Sequence, residues 1–390
     1  MQDRRSATDF QPQAESRPDD GSLQVVDYDL HGIVGIRLVD ATAADIAAVD
    51  RQLGPIRRPL ERLPDLTIRF VDRLRLSGRM RLLGLDEAAF TDDSFLVLRS
   101  KHKTRARVQI PMAQVGNTCE IVCERGMAAV PFLIPIVNLT ALGNGALPLH
   151  AAAFNAGGTG VLVTGWSKGG KTETLLAFMA RGARYIGDEW VYIDARGERM
   201  GGIPEPIRVW DWHLRQLRHL QAAVSRADRS RLRALRGVLG LEAALSRAPG
   251  RNLPPARLLR RARPLLQRQA CVDLHPQRLF GDRLDMSGNL DRVVFATSQE
   301  RADIVARSID PREIAARMVF SLQYERLPFM AIYHAFRFAF PAGRNALVET
   351  AEELQRERLQ RLFANKPCFT LEHPYPVSIP ALHDTLEPLL

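Results

Sequence analysis

The sequence predicts an α/β protein, and three observations carry the prediction. A glycine-rich octapeptide, Gly165-Trp166-Ser167-Lys168-Gly169-Gly170-Lys171-Thr172, lies between an apolar strand-like run and a helical run. From His150 onward, short apolar runs alternate with helical patterns. Before that, Leu23 to about Met127 mixes short strand-like runs with one helix, which reads as an α+β accessory domain. The chain therefore divides into a disordered leader over 1–22, the accessory domain over 23–127 and an α/β domain over 128–390. An Arg-rich helical insertion occupies about 211–270 of the last.

The elements follow in order. Residues 1–22 are polar and lack the apolar run of an export signal, so a cytoplasmic protein is expected. Thr42–Leu53 has the spacing of an amphipathic helix, and Leu66–Val71, Phe95–Leu98, Arg107–Ile110 and Glu120–Cys123 read as strands. For this region the sequence leaves substrate recognition or dimerisation, and hence a homo-oligomer, open. The most apolar stretch, Val130–Leu142, falls short of the roughly 20 residues of a membrane span and contains Pro131 and Pro135, so it reads as a buried helix or strand. His150–Phe154 and Val161–Thr164 read as two strands joined at Gly157-Gly158. A helix follows from Lys171 to about Arg181, closed by Gly182. Tyr185–Ile186, Trp190–Ile193, Arg208–Trp210 and Val293–Ala296 are further extended pieces, and Asp211 is placed to cap a long helix. Pro249, Pro254-Pro255 and Pro264 divide the Arg-rich segment. Asp310-Pro311-Arg312-Glu313 has the form of a helix start, and Glu349–Phe363 that of a charged helix.

The octapeptide matches GxxxxGK[ST] in full, in the strand–turn–helix setting that the chemistry requires. Glycines let successive backbone N–H groups turn inward on phosphate, and the positive end of the following helix adds to that field. A nucleoside triphosphate, ATP or another, is the expected ligand. Lys171 would reach its β- and γ-phosphates, and Thr172 would offer a hydroxyl to Mg²⁺. Asp188 and Glu189 come seventeen residues after Lys171, where a helix and a strand would return the chain to the phosphates. An acid there holds Mg²⁺ or takes the proton of an attacking hydroxyl. The run Trp190–Asp194, four apolar residues and an aspartate, is a rival for the acidic position. If Gly157-Gly158 form a two-residue turn, counting back places His150 opposite Gly165, about 5 Å away across the strand pair.

Leu149-His150-Ala151, the octapeptide with Glu173, Arg181-Gly182-Ala183 and Gly187-Asp188-Glu189 together resemble the catalytic core of the HPr kinase/phosphorylase family and its related serine kinases. That resemblance implies an HPr-kinase/PEP-carboxykinase-like P-loop core and an ATP-dependent kinase acting on a hydroxyl. It implies His150 as the active-site histidine, Asp188 as the base, and Thr172, Asp188, Glu189 and Glu205 as candidate magnesium ligands. Pro341-Ala342-Gly343-Arg344-Asn345 is similar to a late segment that the family places near its active site. The likeness is close over about Leu147–Asp194, with Thr172 standing for the usual serine and Glu189 for a second aspartate.

Charge is concentrated. Of a net +10, the segment Asp211–Ala270 holds fourteen arginines against three acids, +11, which leaves the remainder at −1. An acidic acceptor docked on this segment is one reading. A nucleotide-gated switch with nucleic acid on the segment is the alternative, but the segment has no aromatic interleaving beyond Trp210 and Trp212, so nucleic acid is not the favoured partner. Four cysteines, Cys119, Cys123, Cys271 and Cys368, are too few for a disulfide framework in 390 residues.

Overall fold

The computed structural model describes residues 23–100, 103–247 and 254–390. The leader expected over 1–22, and Pro249, lie outside the described residues.

Eight strands open the chain: β1 (Gln24–Leu30), β2 (Val34–Ala41), β3 (Leu66–Val71), β4 (Arg81–Leu83), β5 (Ala88–Phe90), β6 (Phe95–Arg99), β7 (Arg105–Gln109) and β8 (Cys119–Glu124). They form one sheet in the order β1-β2-β3-β8-β7-β6-β5-β4. In β3 the buried residues Leu66, Ile68 and Phe70 alternate with half-buried ones, the period of a strand with one face on a core. Helix α1 (Ala43–Leu53) links the parallel strands β2 and β3. It starts at a capping box, in which Thr42 N–H donates to Asp45 Oδ2 at 3.0 Å and Asp45 N–H to Thr42 Oγ1 at 3.4 Å. The apolar run becomes the buried helix α2 (Leu133–Gly143), and no described helix is long and apolar enough to cross a membrane.

The second half begins β9 (Leu147–His150), β10 (Ala152–Ala156), β11 (Thr159–Gly165), α3 (Lys171–Met179), β12 (Arg184–Gly187), β13 (Trp190–Ile193), β14 (Arg199–Gly202) and β15 (Ile207–Trp210). Then come α4 (Asp211–Gln216), α5 (Arg226–Arg247), α6 (Pro254–Gln269), β16 (Cys271–Leu274), α7 (Pro276–Phe280), β17 (Ser287–Asn289), β18 (Arg292–Ser298) and β19 (Val305–Ser308). The chain closes with α8 (Pro311–Ala339), α9 (Ala346–Phe363), β20 (Cys368–His373) and α10 (Ile379–Leu386). A six-stranded sheet, β12-β10-β11-β18-β20-β19, has three parallel strands at its centre, β11, β18 and β20. A four-stranded sheet, β17-β14-β13-β9, lies against it, and β15 pairs with β16 alone. The fold is mixed α/β with several sheets.

Three expectations need correction. His150–Phe154 is not one strand. The hairpin register holds from Ala156↔Thr159 to Ala152↔Val163, but Ala151 N–H then donates to Glu189 O at 3.1 Å and the chain leaves the sheet. His150 ends β9, opposite Trp190 of β13 rather than Gly165. Asp211 opens only the six-residue α4. The long helix α5 starts after Ser225, whose hydroxyl accepts from Asp228 N–H at 3.0 Å, because that side chain satisfies a free helix-end donor. Pro264 does not divide the segment either and sits inside α6, where packing against α5 offsets the one backbone bond a proline removes.

Helix α8 joins the two halves. Asp310 caps it, accepting from Arg312 N–H at 2.8 Å. Its early residues Ile314, Met318 and Leu322 pack with the four-stranded sheet, while Phe329, Tyr333 and Phe336 are buried in the core under the eight-stranded sheet.

Candidate active site

The Gly165–Thr172 loop leaves the C-terminal end of β11, at the edge where the parallel strands β18 and β20 also end. Open α/β sheets place ligands at this edge. Both neighbours hold the loop. Ser298 Oγ donates to Lys168 O at 3.2 Å, and His373 Nε2 meets Gly169 O at 2.9 Å. Gly170, with φ +102°, approaches the His373 ring so closely that an added Cβ would lie 2.0 Å from Nε2. Lys171 is buried and its Nζ donates to Trp166 O at 3.0 Å. Burial pulls its pKa down against the nearby carboxylates of Glu189 and Asp188.

Asp188 and Glu189 sit in the turn between β12 and β13. Thr172 Oγ1 donates to Asp188 at 3.0 and 3.2 Å. Asp188 is almost fully buried, and burial together with the adjacent Glu189 charge pushes its carboxyl up to about 7, against the pull of Thr172, Lys171 and His150. Glu189 adopts a left-handed backbone, φ +70°, and its Oε2 meets His150 Nε2 at 2.9 Å. On the other side of the ring, His150 Nδ1 lies 2.9 Å from Glu325 Oε1, at ion-pair distance but outside hydrogen-bonding alignment. Burial opposes a charge on His150, yet the carboxylates of Glu189 and Glu325 outweigh it and Lys171, and hold the imidazole above its usual pKa. His150 holds the Glu189 carboxyl low. Glu325 is also held low, His150 and Lys171 overcoming the effect of its burial.

These groups line one cavity of about 890 Å³, the size of a small-molecule site. Ser167, Lys168, Gly170, Lys171, Thr172 and Glu173 line it from the loop, with His150, Asp188 and Glu189 beside them. Gly165 and Gly169 are not among its lining residues, and Trp166 packs instead on Tyr324 of α8, ring centroids 4.9 Å apart. Glu173 is buried against His213 Nε2 at 3.1 Å. His213 Nδ1 accepts the Trp210 N–H, so Nε2 carries the ring proton and donates to Glu173.

Other sequence candidates lie elsewhere. Asp194 stands at the far end of β13 and its Oδ1 accepts from Glu198 N–H at 2.9 Å, holding a turn. Glu205 is not among the cavity's lining residues. The Pro341–Asn345 segment is also away from the cavity. Arg344 pairs with Glu349, and Asn345 Nδ2 donates to Met112 O at 2.9 Å and Val115 O at 2.7 Å under the eight-stranded sheet. Sequence reasoning missed Glu325, Trp212, His213 and Tyr375. No local pattern marks them, since each reaches the site from a distant part of the chain. Among the described residues no three His, Cys, Asp or Glu side chains group as a metal centre.

Fold and site thus define a mixed α/β protein with a glycine-rich strand–turn–helix beside an acidic cluster in which Asp188 is buried. In sequence it is 29% identical to the HPr kinase/phosphorylases of two strains of Limosilactobacillus reuteri over 160 residues, 36% of this chain and 49% of each relative. The chain spans about half the length of the curated relatives it matches, and this likeness supports a distant relationship only. No protein-family model matches the chain.

Proposed function

We propose that the chain is an ATP-dependent phosphotransferase that moves the γ-phosphoryl group to a hydroxyl, on a serine of a protein or peptide or on a small molecule. The observation that carries this reading is the contact of Thr172 Oγ1 with the Asp188 carboxylate at 3.0 Å, at the head of the helix that follows the glycine-rich loop. The distant likeness to HPr kinase/phosphorylases supports it. The loop N–H groups and the start of α3 would hold the phosphates, with Lys171 turning from Trp166 O to the β- and γ-phosphates. The acceptor oxygen bonds to the γ-phosphorus as the bond to the β–γ bridging oxygen breaks. ADP leaves, and the hydroxyl proton passes to Asp188. A carboxyl with a pKa near the working pH is suited to that role. His150, held between Glu189 and Glu325, would orient the acidic turn, and its protonation, which both carboxylates favour, would offset the charge there.

Mg²⁺ takes one or two protein oxygens and fills its other positions with phosphate and water, a demand that Thr172 and Asp188 fit. Bound there, it would neutralise charge on the phosphates.

The test is a variant series assayed with γ-labelled ATP and Mg²⁺ against host lysate, free amino acids and sugars. Asp188→Asn should bind ATP nearly as wild type and lose about 10²-fold or more of transfer, the usual scale of general-base loss. Lys171→Met should lose nucleotide binding or transfer with the fold intact. Asp194→Asn should behave as wild type. Transfer that depends on Asp194 and not on Asp188 would overturn the reading.

A further inference from the structure

The cavity is larger than a triphosphate needs, and its two ends differ. One end holds His150, Asp188 and Glu189. The other lies under the α4–α6 segment and is lined by Trp212, Leu232, Leu239, Pro264 and Tyr375, with Arg215, Arg236 and Arg268 around it. Trp212 and Tyr375 meet edge to face, centroids 5.7 Å apart at 88°, which leaves an aromatic corner facing the cavity.

We propose that this second end holds the nucleoside of the triphosphate, its base against Trp212 and Tyr375 with the Arg-rich helices closing over it. The inference rests on the phosphotransferase reading above and adds to it. Lys171 and Asp188 claim the terminal phosphate for transfer, so the phosphate chain crosses the head of α3 and the nucleoside must leave on the side away from Asp188. A continuous path runs that way. Glu173 follows Thr172, His213 holds Glu173 at 3.1 Å, and Trp212 packs edge-on against the His213 ring, centroids 4.1 Å apart. The chemistry of that end matches a heterocyclic base on a charged tail. Aromatic faces stack any base, and the apolar side chains of Leu232, Leu239 and Pro264 exclude water from it. Arg215 and Arg236 share Asp211, at 3.5 and 2.5 Å, whereas Arg268 has no ion pair with any described residue and is free to meet an anion. The segment with the +11 charge thus turns its inner face to the nucleotide, which accounts for an arginine cluster beside a phosphate site without invoking a nucleic acid.

The experiment compares ATP with inorganic tripolyphosphate, which carries the charge and lacks the nucleoside. Affinities are measured by calorimetry on the full chain with Mg²⁺. Tyr375→Ala and Trp212→Leu should each raise the Kd for ATP about tenfold, and leave that for tripolyphosphate within about twofold of wild type. Tyr375→Phe should restore ATP binding. Trp212 supports His213, so its variant is read only if its thermal melting matches wild type; Tyr375 is half exposed and carries the test if it does not. ATP bound as tightly by Tyr375→Ala as by wild type overturns the inference, and so does an equal loss of both ligands. A wild-type chain that binds neither ligand refutes instead the phosphotransferase reading on which it rests.

Discussion

Asp188 illustrates how one residue is set by what surrounds it. Its carboxyl is enclosed, stands beside the Glu189 charge, and receives one hydrogen bond, from Thr172. A folded-state pKa raised above the unfolded value means that the native state holds the proton more tightly. The stabilising effect is complete below about 4 and is lost as pH rises through about 7. Asp188→Asn keeps the shape and the bond from Thr172 but never ionises. It should therefore melt at least about 2 °C above wild type at pH 8, with the gap closing towards pH 5. A constant gap across that range would show that the site does not titrate. The His150 ring makes the complementary case. Glu325→Gln removes one of its two carboxylates, so the His150 pKa should fall. Ring-proton chemical shifts across a pH titration would report the change, and an unmoved midpoint would count against the pairing across Nδ1.

At the scale of the element, the loop depends on a close approach that only glycine permits. Gly170→Ala would put a methyl group into the buried His373 ring at a positive φ, and His373 is itself tied to Gly169 O and Pro374 O. The expected cost is about 2 kcal/mol or more of stability, with loss of nucleotide binding, measured by denaturant unfolding and calorimetry. The Arg-rich helices show a different logic. Arg231 donates to Gln269 O at 2.9 Å and Cys271 O at 2.8 Å, so it ties α5 to the return of the chain. Arg229 and Arg233 carry no ion pair with any described residue. Exchange of both for Gln is the test of an acidic acceptor. Transfer to it should weaken as it does under added salt, while ATP binding changes little.

For the whole molecule, the deciding element is α8. Its Phe329, Tyr333 and Phe336 complete the core under the eight-stranded sheet, and its earlier turns pack behind the loop strand. It also delivers Glu325 to His150. Residues 23–127 and the α/β part therefore share buried surface. A chain beginning at residue 128 would uncover those three rings, and it should aggregate or lose a single cooperative melting transition. A monomeric fragment that melts as the full chain does, by size-exclusion chromatography and calorimetry, would contradict this. Asn345, which ties the segment between α8 and α9 to Met112 and Val115, is placed to transmit the same coupling.

Much of this was legible in the order of residues alone. The glycine-rich loop, the Thr42 and Asp310 helix starts, and the run of strands around the loop depend on backbone constraints within a few positions, and those constraints are written locally. The identities of Lys171, Thr172 and Asp188 as one cluster followed from counting a helix and a strand. The partner of His150 was not legible, because the ladder breaks at Ala151 and a strand's neighbour is chosen by which apolar face it buries. Nor were Glu325, His213 and Tyr375. They lie 175, 63 and 225 positions along the chain from His150. Only packing of α8 brings Glu325 to His150, and only packing of α4 and the segment after β20 brings His213 and Tyr375 to the cavity, since burial of apolar surface acts between faces regardless of their separation in sequence.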